Sequence, residues 1–207
     1  FSPNDKYVSF ISPYDNKIIV LNSDDGKQVL DSKIQGLAPL DQVHVWGNDS
    51  QNIIIASSAA LPQTTSYSGI NIYKLSITTK EMTQLGSISP GNKNFSKVKY
   101  SISPDLKKIA YFIEEQRVIS YGVSEYDWGY YISDLNGTNT QEILSKKGAK
   151  YYHGPNTNFS WSPDNDYIAF FNEEASGIPT KLQVYDVRMK KLFNALESEP
   201  SNKIIWD

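Results

Sequence analysis

Residues 161–170 read WSPDNDYIAF, and close variants of this stretch recur along the chain. The pattern returns as FSPNDKYVSF at 1–10 and ISPDLKKIAY at 102–111, with a weaker copy, WGNDSQNIII, at 46–55. In each copy an apolar residue ends a strand and a polar turn follows. Ser-Pro-Asp/Asn reverses the chain because Pro fixes φ and the Asp or Asn side chain bonds its own backbone. An apolar run then returns, so each copy predicts a β-hairpin.

A second hairpin follows each copy of the motif. Its apolar arms lie at 18–30, 70–85, 130–144 and 182–196, with turns around Gly26, Thr79, Gly137 and Met189. Two hairpins make a four-stranded sheet, and the copies are spaced by roughly 45 to 60 residues. This spacing fits β-propeller blades of about 40 to 50 residues with insertions, whereas a sandwich or barrel is not expected to repeat one motif every two hairpins.

The repeats predict an all-β chain, a β-propeller segment of about four four-stranded antiparallel blades. The predicted blades are 1–30, 41–85, 97–144 and 157–196. Residues 202–207 read as the innermost strand of a further or shared blade, with Trp206 matching Trp161 and Phe1. Either the two ends share one blade and close a four-bladed ring, or the chain belongs to a larger propeller. The abrupt ends favour the larger propeller.

Composition supports strands and excludes several classes of partner. The 14 Tyr, 8 Phe and 4 Trp residues, among many Ile and Val, favour pleated structure. A net charge of −3 with interspersed Lys, Asp and Glu leaves no basic footprint for nucleic acid. No apolar run approaches the roughly 18 residues of a membrane span. The absence of Cys excludes disulfides and thiolate metal sites.

The motif at 161–170, followed by VYDV at 184–187, resembles the WD40-like repeat of TolB-type propellers and of the propeller domains of prolyl-oligopeptidase and dipeptidyl-peptidase proteins. The resemblance covers nearly the whole chain and implies architecture rather than a role, since such folds host many functions. We also expect an extracytoplasmic location, periplasmic or secreted. Glu173 and Glu174 resemble the acidic pairs with which dipeptidyl-peptidase propellers hold the amino terminus of a peptide, but they follow a strand in a different local context, and a solvated turn explains them better.

One end of the predicted blades carries long connections, at 57–69, 114–129, 146–157 and 172–180. Long loops on a rigid scaffold are a usual place for function, and these loops are rich in aromatic residues. Alternatively, several of the rings pack beneath their own loops as small cores. The residues predicted to bind a partner are Arg117, Tyr121, Tyr126, Trp128, Lys147, Lys150, Tyr151, Tyr152 and His153.

Catalytic motifs are not visible in this sequence. With no Cys and only His44 and His153, few nucleophile–base pairs are available. GVSEY at 122–126 begins like a nucleophile elbow but lacks the second Gly. The Asp-Gly and Asn-Gly turns at Gly26 and Gly137 are better explained by hairpin geometry than by calcium. The sequence therefore predicts no enzyme, no cofactor and no metal.

Two roles compete. The first is a non-enzymatic binding or scaffolding propeller that recognises a protein, peptide or glycan through the long-loop face. The alternative is the accessory propeller of a prolyl-oligopeptidase-like serine peptidase whose catalytic domain is absent from this chain. A third hypothesis is that an intact ring binds a small molecule or ion in its axial channel. The sequence does not identify the residues that would line this channel.

Overall fold

The computed structural model describes residues 1–12, 15, 17–33, 42–61, 66–89, 95–121, 123–149, 159–172, 180–198 and 206. Within this part of the chain all regular structure is β-strand. The chain divides into two compact units, Phe1–Asn92 and Lys93–Asp207. Each unit contains two antiparallel sheets whose strands follow one another in sequence order.

The first unit holds a three-stranded and a four-stranded sheet. The three-stranded sheet is β1 (Tyr7–Ser12), β2 (Lys17–Asn22) and β3 (Gln28–Lys33). The four-stranded sheet is β4 (Gln42–Trp46), β5 (Asn52–Ala60), β6 (Tyr67–Ser76) and β7 (Met82–Ile88).

The second unit holds two four-stranded sheets. One is β8 (Lys97–Ile102), β9 (Lys108–Ser120), β10 (Val123–Asp134) and β11 (Gln141–Ala149). The other is β12 (Ser160–Trp161), β13 (Tyr167–Asn172), β14 (Thr180–Asp186) and β15 (Lys191–Ser198). The predicted all-β class and the repeated antiparallel sheets are confirmed.

The three Ser-Pro copies of the motif and the weaker copy at 46–55 all form the same type of turn, as the sequence predicts. In each copy a non-glycine residue has positive φ, and its N–H donates to the carbonyl three residues earlier at 2.9–3.0 Å. In the Ser-Pro copies the Ser hydroxyl bonds the Asn or Asp side chain two residues on, as from Ser103 to Asp105 at 2.7 Å. The residues with positive φ are Asp5, Ser50, Leu106 and Asn165.

The turn of the second hairpin lies beside the Ser-Pro turn in every sheet. Its backbone N–H donates to a carbonyl of the first turn, as from Leu135 to Lys107 at 3.0 Å and from Val187 to Asp166 at 2.9 Å. Both short turns therefore occupy one end of each sheet. The β5–β6 and β9–β10 connections lie at the other end of their sheets.

Each unit has its own core, formed by alternate residues of the strands. In the first unit Ile18, Val20, Ile53, Ile55 and Leu75 are completely buried. In the second unit the core is aromatic, and the ring of Tyr130 stacks on that of Phe170 with centroids 4.3 Å apart. Such stacking between residues of two sheets adds to the free energy of apolar burial.

Candidate functional site

The hairpin formed by β9 and β10 projects beyond the strands that flank it. Among the described residues, β9 pairs with β8 from Ile109 to Glu114, yet it continues to Ser120. On the other side, the described pairing of β10 with β11 begins at Tyr126. Residues 115–121 and 123–125 therefore form a two-stranded extension, which we call the projecting hairpin. The prediction of a long loop at 114–129 is wrong, because both arms pair as strands.

The base of the projecting hairpin is held in the core of the second unit. Trp128, expected on an exposed loop, is only 6% exposed and packs edge-on against Tyr130, with centroids 5.9 Å apart. Glu114 lies opposite Trp128 and is completely buried. Its Oε1 and its backbone carbonyl both accept hydrogen bonds from the hydroxyl of Ser96 at 3.1 Å. These contacts anchor the hairpin where it leaves the sheet.

One face of the projecting hairpin carries an ion-pair network. The guanidinium Nη2 of Arg117 lies 3.0 Å from Oδ1 of Asp127 and 3.5 Å from Oε2 of Glu125. The same Oδ1 of Asp127 accepts a hydrogen bond from the backbone N–H of Gly148 on β11 at 2.8 Å. Arg117 and Asp127 therefore stiffen the hairpin and tie it to the neighbouring strand.

The opposite face carries Gln116, Val118, Ser124 and Tyr126. Gln116 and Ser124 are joined by a hydrogen bond of 2.9 Å from Nε2 to Oγ. Tyr126 pairs with Gln116 across the strands and is partly buried.

The tip of the projecting hairpin is strongly exposed and apolar. Val118 is 75% exposed, Ile119 55%, Tyr121 104% and Val123 51%. Ten large hydrophobic side chains are exposed in the described part of the chain, and four of them lie at this tip. Clusters of exposed apolar side chains mark interaction sites more often than isolated ones do.

The structure brings together part of the predicted binding set. Arg117, Tyr121, Tyr126 and Trp128 all belong to the β9–β10 hairpin, and Lys147 is exposed on β11. Of these, Tyr121 presents a freely exposed ring, whereas Trp128 belongs to the core and Arg117 binds within the hairpin. The following predicted residues lie outside the described residues: Lys150, Tyr151, Tyr152, His153, Glu173 and Glu174.

The sequence analysis missed Val118, Ile119 and Val123. A signal for them exists, since RVISY at 117–121 is rich in residues that favour strands. The polar run EEQR at 114–117 lies instead in the segment predicted to be a long connection, 114–129. That run forms a strand because its side chains find partners across the hairpin and, for Glu114, inside the core.

Outside the projecting hairpin, the described residues offer few side chains arranged for catalysis or metal binding. His44 Nε2 lies 3.0 Å from the hydroxyl of Ser9. Burial lowers the pKa of the imidazole, and a hydrogen bond with the backbone of Ser9 opposes this effect. The described residues hold no group of three His, Asp or Glu side chains arranged for a metal ion. They also include no helix long and apolar enough to cross a membrane.

Several solved structures have a similar fold. TolB from Acinetobacter baumannii is 15% identical, with a TM-score of 0.53, over 97% of this chain and 44% of that chain. Dipeptidyl peptidase 4 from Porphyromonas gingivalis is 12% identical, with a TM-score of 0.54, over 97% and 32%. The β-propeller domain of the Trilobed protease from Pyrococcus furiosus is 14% identical, with a TM-score of 0.50, over 95% and 55%.

The fold is a β-propeller of about four blades. The resemblance to TolB-type and dipeptidyl-peptidase propellers is thereby confirmed at the level of the fold. No family model matches the chain, and no curated protein is similar to it. The chain spans less than two thirds of each of these three structures, and identities of 15% or below carry no activity across.

Proposed function

We propose that this chain is a non-enzymatic binding propeller that engages a protein partner through the tip of the projecting hairpin. The observation that supports it is the exposure of Val118, Ile119, Tyr121 and Val123 on one extension of two paired strands. Val and Ile offer no hydrogen bonds to a glycan, but they fill apolar pockets on proteins. The proposed partner is therefore a protein with an apolar recess, and the extracytoplasmic location predicted from the sequence belongs to the same proposal.

The stiffness of the hairpin supports the proposal. Binding through a mobile loop costs about 0.5–1.5 kcal/mol for each side chain that must be immobilised. In the projecting hairpin the backbone is already paired, and Arg117 and Asp127 hold the two strands together. A preformed strand pair delivers its apolar tip with little loss of conformational entropy.

The alternative role is the accessory propeller of a serine peptidase, in which the hairpin tip contacts a catalytic domain. The similarity in fold to the propeller domain of the Trilobed protease supports it. The complete gene separates the two roles. A hydrolase domain with a nucleophile elbow in the same reading frame favours the accessory role.

The test compares the wild-type chain with a tip variant, Val118→Ser, Ile119→Ser and Tyr121→Ser combined. Proteins retained from an extract of the source organism are quantified by mass spectrometry, and the retained partner is then purified for titration. We expect the tip variant to bind that partner at least about 30-fold more weakly, about 2 kcal/mol, as for a hot-spot cluster.

The matched control is Met189→Ser. Met189 is a large apolar residue, 64% exposed, but it lies in the short β14–β15 turn at the other end of its sheet. Its replacement should leave binding unchanged. A partner that tolerates the tip variant and is lost with Met189→Ser overturns the proposal.

A further inference from the structure

The turn between β10 and β11 contains the only Asn-Gly pair in the sequence, Asn136-Gly137. β10 ends at Asp134 and β11 begins at Gln141, and the side chain of Asn136 is exposed. Gly137 has φ 84°, a conformation that glycine adopts at no steric cost. The pair also places two reactive groups side by side. The side-chain amide of Asn136 is an electrophile, and the backbone nitrogen that follows it belongs to a residue without a Cβ.

Two donors from Thr138 hold the amide oxygen of Asn136. Its Oδ1 accepts hydrogen bonds from the backbone N–H of Thr138 at 3.0 Å and from the hydroxyl of Thr138 at 2.6 Å. A side chain bonded to the N–H two residues on lies across the peptide between them, here the peptide of Gly137. Donors aimed at a carbonyl oxygen stabilise the negative charge that this oxygen gains when a nucleophile attacks its carbon. Thr138 therefore makes Cγ of Asn136 a better electrophile.

One hydrogen bond restrains the nucleophile. The backbone N–H of Gly137 donates to the carbonyl of Asp134 at 2.9 Å. This bond must open before the nitrogen attacks, and the loss of one such bond slows the attack by about 2- to 10-fold. Because the turn lies at the surface, local opening does not require the sheet to unfold.

We propose that Asn136 is a site of spontaneous deamidation and that Thr138 activates it. The nitrogen of Gly137 forms a bond with Cγ of Asn136 and gives up its proton. The bond from Cγ to Nδ2 breaks, and Nδ2 leaves as ammonia, so a five-membered imide remains. Water then adds to either carbonyl of the imide and opens the ring to aspartate or to isoaspartate, whose backbone is one methylene longer. The reaction needs water alone, and the site is independent of the projecting hairpin.

Asn22 offers an internal comparison. Its Oδ1 also accepts a hydrogen bond from the N–H two residues on, that of Asp24, at 2.8 Å. The residue that follows it is Ser23, whose side chain crowds the attacking nitrogen. The hydroxyl of Ser23 donates to the carbonyl of Asp5, whereas the hydroxyl of Thr138 donates to the reacting amide. The activation proposed for Asn136 therefore predicts a slower reaction at Asn22.

The test incubates the purified 207-residue chain at pH 7.5 and follows both asparagines by mass spectrometry of proteolytic peptides. Deamidation raises the mass of a peptide by about one dalton, and fragments of the lengthened backbone identify isoaspartate. We expect Asn136 to react at least about 10-fold faster than Asn22, since a side chain hinders the nitrogen at Asn22 and the second donor is missing. Equal rates at the two sites overturn the proposal.

The variant Thr138→Val keeps the backbone N–H and the branched side chain but removes the hydroxyl donor. We expect Asn136 to deamidate about 2- to 10-fold more slowly in this variant, the effect of one hydrogen bond, and Thr138→Ser to restore the rate. A purely structural role of Thr138 predicts the opposite sign, because a looser turn frees the nitrogen of Gly137. An unchanged or faster reaction in Thr138→Val overturns the proposal. If Thr138→Val fails to fold, the comparison of Asn136 with Asn22 in the wild-type chain still decides.

Discussion

Oδ1 of Asn165 accepts a hydrogen bond from the backbone N–H of Asp105 at 2.9 Å, and so joins the Ser-Pro turns of the two sheets in the second unit. In the first unit Ser50 does the same for Asn4, with its hydroxyl oxygen at 3.2 Å. Both acceptors have positive φ, 67° for Asn165 and 55° for Ser50. One residue thus permits the left-handed turn and also links neighbouring repeats.

We predict that Asn165→Ala destabilises the chain by about 2–3 kcal/mol and Asn165→Gly by about 1 kcal/mol. Both variants lose a hydrogen bond of about 0.5–1.5 kcal/mol. Alanine also adds the cost of the left-handed conformation, about 1–2 kcal/mol. Asparagine adopts this conformation at a lower cost, and glycine adopts it freely. Urea denaturation followed by circular dichroism measures both. Equal destabilisation by the two variants contradicts the role of φ.

Gly69 provides a second local test, in the first unit. A Cβ at this position would clash with the backbone carbonyl oxygen of Ile88 on the neighbouring strand. Because that oxygen belongs to a paired strand and cannot swing aside, we expect Gly69→Ala to cost about 2–3 kcal/mol, as overpacking does. The midpoint of urea denaturation measures the loss.

Gly26→Ala is the matched control for Gly69. Gly26 has φ +68°, but a Cβ there meets nothing within 4 Å. Its substitution should therefore cost only the conformational term, about 1–2 kcal/mol. A larger loss of stability in Gly26→Ala than in Gly69→Ala would show that the close approach of Gly69 to Ile88 does not determine the cost of a side chain at position 69.

The repeated turns could be predicted from the sequence because their causes are local. Ser, Pro and Asp act within five residues of one another, and the four turns have nearly the same hydrogen bonds. Apolar alternation likewise gave the strands of the sheets, as for Ile18 and Val20 in β2. Such features need no knowledge of distant partners.

The projecting hairpin could not be predicted in the same way. Arg117, Glu125 and Asp127 form one network only once the strand register is known. Glu114 is a charged residue by sequence, and its burial depends on Ser96 and the aromatic core.

His44 makes the stability of the first unit depend on pH. Burial is the largest effect and lowers the pKa of His44 below its ordinary value of about 6.5, while a hydrogen bond with the backbone of Ser9 opposes it. As the pH falls below about 6.5, the unfolded chain therefore binds a proton that the folded chain resists. The contribution of neutral His44 to the free energy of unfolding is therefore fully present above the pKa of this residue in the unfolded chain, and it is lost as the pH falls below that value.

We predict a lower urea midpoint at pH 5.5 than at pH 7.5, with a smaller difference in His44→Gln, which places a neutral polar group near Ser9. The carboxylates of Asp134 and Asp164 do not interfere, because hydrogen bonds from Asn139 and Ser162 keep their pKa below the ordinary value. An unchanged pH dependence in His44→Gln would assign the effect to another group.

Asp127 controls the stiffness of the projecting hairpin. Its carboxylate, with a side chain only 18% exposed, accepts bonds from both Arg117 and the N–H of Gly148. A hydrogen bond to a charged group contributes about 1.5–3 kcal/mol. We therefore expect Asp127→Ala to accelerate amide exchange at 116–125 by about 10-fold or more while β13 and β14 keep their protection, because the hairpin opens locally.

Glu125→Ala is the matched control for Asp127→Ala. Its contact with Arg117 is longer, 3.5 Å, and its side chain is 34% exposed, so the pair contributes at most about 1 kcal/mol. Exchange in the hairpin should rise only a few-fold. Asp127→Ala should also weaken binding at the tip without removing any tip side chain, since ordering the hairpin then opposes association. Equal exchange rates in the two variants would show that Asp127 does not hold the hairpin in place.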